Sequence, residues 1–348
     1  MKPTRHICLF LLFVFALTAA AQDEPKHSQD WFLRASERMN LRQPGSQPFH
    51  LRVKFHANAG EELLAPDEKS QFITGDGSYD EIWLAPDTWR REVTLADYHA
   101  VEVEANGVRK MQASSDYEPS RVLMLLRHLI APIPSNLAEK GSNMAQNWQI
   151  DHVTAGDTQL VRLSKVMMSD SRITLKDSWY FLPTGELTMS NATGMTTIWS
   201  GVTSFAGKTV PLKMTLKAGE RELLTAVTAI DSAGQMNNAA WDLPGNAAEP
   251  GMTLHIVNTA DVHRPSPDEA MREIGGYAAS QPSASLFIAA GVLDRTGTYR
   301  EIEVLQATDP SYAANILARI RVSRSKPATL NKSPCQYSPV WQFLFEHH

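Results

Sequence analysis

Tyr79-Asp-Glu-Ile-Trp-Leu-Ala-Pro-Asp-Thr-Trp-Arg-Arg-Glu-Val-Thr-Leu95 reads as two strands around one turn. Ala85-Pro86-Asp87-Thr88 is turn chemistry, because proline presets its own φ and the polar neighbours bond locally to the backbone. In the returning half Trp89 and Val93 fall on one side, and Arg90, Glu92 and Thr94 on the other. That is the period of two imposed by a half-buried strand. The same period runs upstream, where Leu51, Val53 and Phe55 alternate with His50, Arg52, Lys54 and His56. Gly75-Asp76-Gly77 is expected to turn the chain into Tyr79. Downstream, His99–Glu104 and Val108–Ala113 form a further pair through Asn106-Gly107, a strong hairpin dipeptide. From Phe49 to Met111 the chain is therefore expected to be an antiparallel sheet.

Against this sheet stands a helix of unusual composition. Pro119-Ser120 opens Arg121–Ile130, in which seven of ten residues are apolar and wrap most of the circumference. Such a helix must be covered on nearly every side. Two readings follow: a packed core helix, or a lid over an apolar cleft. The residues that would line the cleft are Val53, Phe55, Trp89, Val93, Val101 and Val103 from the sheet, with Leu123, Leu126 and Ile130 from the helix.

Strands resume at Gln149–Val153, Gln159–Met167, Arg172–Leu182, Glu186–Ser190, Thr196–Phe205, Thr209–Leu216 and Glu222–Ile230. An N-terminal helix over Ser28–Leu41 places Trp31, Phe32, Ala35 and Met39 on one face. Gly, Pro, Asn and Ala density from Asn237 to Gly251 marks a boundary. The chain divides into residues 1–21, a main unit 22–245, a connecting segment 246–284 and a tail 285–348. In the tail, strands Ser285–Val292 and Tyr299–Leu305 flank the turn Asp294-Arg-Thr-Gly297. Asp309 caps a helix with Pro310 at its first position and a stripe of Ala313, Ile316, Leu317 and Ile320. A third strand, Val340–Glu346, completes β-β-α-β. The fold class is mainly β with α, an α+β chain.

Composition bounds function. The chain has 348 residues, 43% of them hydrophobic, and a formal net charge of −5. There is no long basic run, so no nucleic-acid partner is expected. Lys2 and Arg5, the apolar run Ile7–Leu17 and Ala19-Ala20-Ala21 have the layout of a secretory signal peptide cleaved after Ala21. The alternative is an uncleaved inner-membrane anchor, although the apolar run is short for a span. Cleavage leaves Cys335 as the sole cysteine, which excludes an internal disulfide and a multi-cysteine metal site. A periplasmic or secreted location is expected.

The run Gly77–Arg91, the apolar helix and Tyr180-Phe-Leu-Pro-Thr-Gly-Glu-Leu187 resemble the outer-membrane lipoprotein carrier (LolA-like) superfamily. The resemblance implies a curved antiparallel half-barrel whose concave apolar face is covered by helices and holds acyl chains. The tail run Gly291-Val-Leu-Asp-Arg-Thr-Gly297, then Tyr299-Arg-Glu-Ile-Glu-Val-Leu305, the helix and Arg324-Ser-Lys-Pro-Ala328 are similar to the C-terminal domain of TonB-type energy transducers. Ser323 and Ser325 stand where that family carries aromatics, and its long Pro-rich spacer is missing. The resemblance therefore implies a docking module rather than energy transduction. Arg319, Arg321 and Arg324, and Trp341 and Phe343 of the last strand, are the candidate contacts with an envelope partner.

For chemistry, neither a Gly-x-Ser-x-Gly elbow, a phosphate-binding glycine loop nor a paired-His zinc motif is present. Glu61-Glu62, Asp76 and Asp80-Glu81 are expected to face water. His50 and His56 are too far apart on one strand to share a metal. No enzymatic activity, cofactor or metal is expected. The expected function is a non-catalytic binding protein for a lipid, a lipopeptide or another apolar molecule. The alternative is an envelope adaptor or TonB-type energy-transduction accessory with the half-barrel as scaffold.

Overall fold

The computed structural model describes residues 24–43, 45–58, 73–105, 108–114, 119–169, 174–234, 241, 243, 285–330, 332–337 and 340–345. The signal segment 1–21, the connecting segment 246–284, Glu61-Glu62 and the Asn106-Gly107 turn lie outside them.

Twelve strands form one antiparallel sheet, curved and unclosed. They are β1 (Phe49–Ala57), β2 (Gly75–Ala85), β3 (Thr88–Leu95), β4 (Tyr98–Ala105) and β5 (Val108–Ala113), then β6 (Gln149–Ala155) and β7 (Thr158–Ser169). The rest are β8 (Thr174–Phe181), β9 (Leu187–Ala192), β10 (Met195–Phe205), β11 (Lys208–Ala218) and β12 (Arg221–Ser232). Two meanders meet where β1 pairs with β12, Val53 opposite Thr228, and β5 and β6 are the open edges. The alternation read in β1 holds: Leu51, Val53 and Phe55 are buried while Arg52, Lys54 and His56 are exposed. Gly75-Asp76-Gly77 departs from expectation, since it is the first part of β2 rather than a turn. Gly77 pairs with Phe55, and a side chain there would strike the Phe55 ring.

Among the described residues of the half-barrel, the α-helices are α1 (Ser28–Met39), α2 (Ser120–Ile130) and the short α3 (Ser135–Ala138). The predicted stripe of α1 is buried, and Phe32 meets Trp148, Trp179 and Phe181 edge-on. Arg38 of α1 bonds Glu186 and thereby fixes the helix to the β8–β9 hairpin.

The tail comprises β13 (Ser285–Leu293), β14 (Tyr299–Ala307), α4 (Pro310–Val322), β15 (Ala328–Leu330), β16 (Ser333–Cys335) and β17 (Val340–Phe345). Its three-stranded sheet has the order β14-β13-β17. The Asp309 side chain accepts from the Ser311 and Tyr312 amides at 2.9 and 3.2 Å, capping α4 as read. One sheet face, with Phe287, Ala289, Leu293 and Ile302, packs on the stripe of α4. The other face carries Leu286, Ile288, Ala290 and Leu305, which join the core of the half-barrel. The tail sheet is thus buried on both sides.

Candidate functional site

The face of the large sheet covered by helices is apolar over most of its width. Val53, Phe55, Trp89 and Val93 share one continuous core with Leu123, Leu126 and Ile130 of α2, and all seven are nearly inaccessible. The helix lies along the hollow. At its far end the Leu41 amide donates to the Ile130 carbonyl at 2.9 Å. In the same last turn, Trp199 Nε1 donates to the His128 carbonyl at 2.9 Å while the two rings stack. Burial and the neighbouring Arg127 push the His128 imidazole down to about 3, so it is neutral near pH 7. In this conformation these side chains are closed off from solvent.

Two expected lining residues lie elsewhere. Val101 and Val103 are buried but outside this core, on the opposite face of β4 with Ile82 of β2. Tyr98 and Ala100 take the inward positions instead, and the register then places Glu102 inward as well. The Val-Glu alternation of β4 fits either face by hydrophobicity alone. Charge pairing decides: Glu102 is buried because it faces Arg91 across the strand pair and also pairs with Arg109. Glu81 is corrected in the same way. It is fully buried, pairs with Arg42 and accepts from the Tyr79 hydroxyl at 2.8 Å. Glu81, Arg91 and Glu102 are direct cross-strand neighbours, forming a charged row across β2, β3 and β4 inside an otherwise oily face. Trp89 borders it, with the Arg91 and Arg109 guanidiniums 5.2 and 5.0 Å from its ring centre. Burial lowers the Arg109 pKa, with Glu102 opposing that shift.

The outward face carries ion pairs instead. His50 pairs with Asp80 and His56 with Asp76, and the Asp76 hydrogen bond raises the His56 pKa. His99 pairs with Glu92 and lowers that carboxyl.

Sequence reasoning missed the third wall. Arg121, in the first turn of α2, and Arg221, at the start of β12, both pair with Glu303 of β14. Glu303 is fully buried and Arg121 nearly so. Desolvation pulls the Arg121 guanidinium down to about 10, partly offset by Glu301 and aided by Arg221. The signal was present: Leu286-Phe-Ile-Ala-Ala290 is an unbroken apolar run, the mark of a strand covered on both faces.

The candidate docking residues are spread over the tail. Arg319 and Arg321 lie in the last turn of α4, whereas Arg324 bonds Thr298. Trp341 and Phe343 sit on β17, at the sheet edge, in register with Ala289 and Phe287. The Cys335 thiol is buried, and burial raises it to about 11. Among the described residues no three His, Cys, Asp or Glu side chains are placed to hold a metal, and no helix is long and apolar enough to cross a membrane.

An open antiparallel half-barrel roofed by helices is the architecture. No family model matches the chain, and no curated protein matches it. Among solved structures it is similar to a LolA superfamily protein from Nitrosomonas europaea, at 10% identity and a TM-score of 0.30, over 63% of this chain and 99% of that one. It is also similar to a DUF1329 family protein from Desulfovibrio piger, at 8% identity and 0.35, over 62% and 95%. A third is a domain described as an outer membrane lipoprotein-sorting protein from Vibrio parahaemolyticus, at 8% identity and 0.33, over 62% and 97%.

Proposed function

We propose that this protein is a non-catalytic, envelope-located carrier that takes up an acyl chain or another apolar ligand on the concave face of the half-barrel. The observation that carries this reading is a sheet face whose apolar residues are covered by helices, α2 among them, and by the inner face of the small tail sheet. A helix laid in a hollow can leave it as one body. Its departure would expose Val53, Phe55, Trp89 and Val93 together, and hiding them again from water supplies affinity at about 25 cal/mol per Å². The charged row beside Trp89 gives the oily face one polar end, suited to a lipid with a headgroup.

The burial of that face also supports a second reading, in which the half-barrel is a fixed scaffold and the tail an adaptor for an envelope partner. Native mass spectrometry of full-length protein purified without detergent separates them. Bound lipid, or uptake of an added fatty acid at micromolar concentration, supports carriage. An empty protein that takes up neither leaves the scaffold.

A further inference from the structure

The tail covers one particular end of the hollow. The β9–β10 turn, the β11–β12 turn ending at Arg221 and the first turn of α2 all meet the tail sheet there. At the β9–β10 turn a Cβ built on Gly194 would lie 3.3 Å from Ile288 and 3.4 Å from Leu305. The tail side chains pressed into this end are Leu286, Ile288, Ala290 and Leu305, continuous with the core around α2. They are hydrocarbon side chains of the kind an acyl chain could replace with little change in transfer free energy.

The polar part of the contact is unusual for a permanent core. Arg121 stands in the first turn of a helix, where the helix dipole disfavours a cation, and it is held there by Glu303. A buried ion pair is seldom better than a well-packed hydrophobic replacement. Its distinguishing property is that both charges regain hydration when the surfaces part, which lowers the cost of the open state. The Glu303 clamp therefore marks a contact made to come apart.

We propose that the inner face of the tail sheet occupies the acyl-chain site of the half-barrel, and that Glu303, bridging Arg121 and Arg221, latches tail and lid helix together until cargo takes the tail's place. This rests on the carrier reading above. The described conformation is then self-capped, and cargo and tail compete for one surface.

The test uses the full chain, detergent-free, with cis-parinaric acid as fluorescent probe. Gly194→Cys with Leu305→Cys brings two Cβ atoms to 3.4 Å, just short of the ~3.5–4.5 Å of a disulfide, at a turn whose φ of +75° the cysteine must accept. Oxidised, this variant is expected to bind the probe at least about tenfold more weakly than the same protein after dithiothreitol. Glu303→Gln, which keeps the shape and removes the charge, is expected to bind about tenfold more tightly than wild type. Equal binding by oxidised and reduced forms would overturn the latch while leaving carriage intact. If wild type, Glu303→Gln and the reduced double variant all fail to bind, carriage itself fails and the latch with it.

Discussion

At the scale of single residues, two inward positions of the half-barrel have opposite tolerances. Gly77 lies against Phe55, and a Cβ there would come within 2.3 Å of the ring and 2.7 Å of the Thr94 carbonyl. The ring can move but the carbonyl is backbone. Gly77→Val is therefore expected to cost about 1–3 kcal/mol through overpacking, read as a lowered urea midpoint. Adding Phe55→Leu should recover only part of it; full recovery would show that the backbone contact is immaterial. Glu102 is the contrasting case, a charge where the alternation asked for a hydrophobe. Glu102→Leu removes the carboxylate that buried Arg91 faces and is expected to cost about 3–5 kcal/mol. Combining it with Arg91→Met should cost less than Glu102→Leu alone, because no uncompensated charge is then left at that pair. A double variant worse than the single would mean that the row is held by shape rather than charge.

At the scale of elements, strands were legible wherever one side of the chain was plainly polar, as in β1 and β3. Legibility failed where both faces are buried. In β4, valine and glutamate compete for the same side, and only the arginines on the neighbouring strands β3 and β5 settle the register. The lid helix α2 was legible as an element, but its coverage depended on a tail more than 150 residues away. Its own chemistry gives a pH prediction. His128 titrates near 3 in the folded protein and near 6.5 when unfolded. Between those values the unfolded chain binds the extra proton, so stability falls as pH falls below about 6.5. At pH 5 the loss from this group is about 2 kcal/mol. Urea midpoints at pH 7.5 and pH 5 should therefore differ more for wild type than for His128→Gln, which cannot titrate. Parallel shifts in the two proteins would show that the imidazole is not held neutral beneath Trp199.

At the scale of the whole molecule, the shared core decides how the protein unfolds. Ile288 belongs to the tail by sequence, yet it is fully buried in the same cluster as α2 and the concave face. Trp31, Trp83, Trp89, Trp148, Trp179 and Trp199 all lie in the half-barrel and report chiefly on it. If the tail were an independent bead on the chain, Ile288→Ala would leave the unfolding seen by those tryptophans nearly unchanged. Because the side chain fills the end of the hollow, its truncation is expected to cost about 2–5 kcal/mol and to shift that transition bodily to lower denaturant. Far-ultraviolet circular dichroism should trace the same single transition, as cooperative unfolding through one core requires. Leu317→Ala, buried between α4 and the outer face of the tail sheet, provides the comparison. It loosens the tail internally, where β17 carries Trp341, and reaches the six half-barrel tryptophans only through tail docking. Two separated transitions in wild type, with Ile288→Ala moving only the one that belongs to the tail, would dissolve the shared core. With it would go the competition between tail and cargo for one surface.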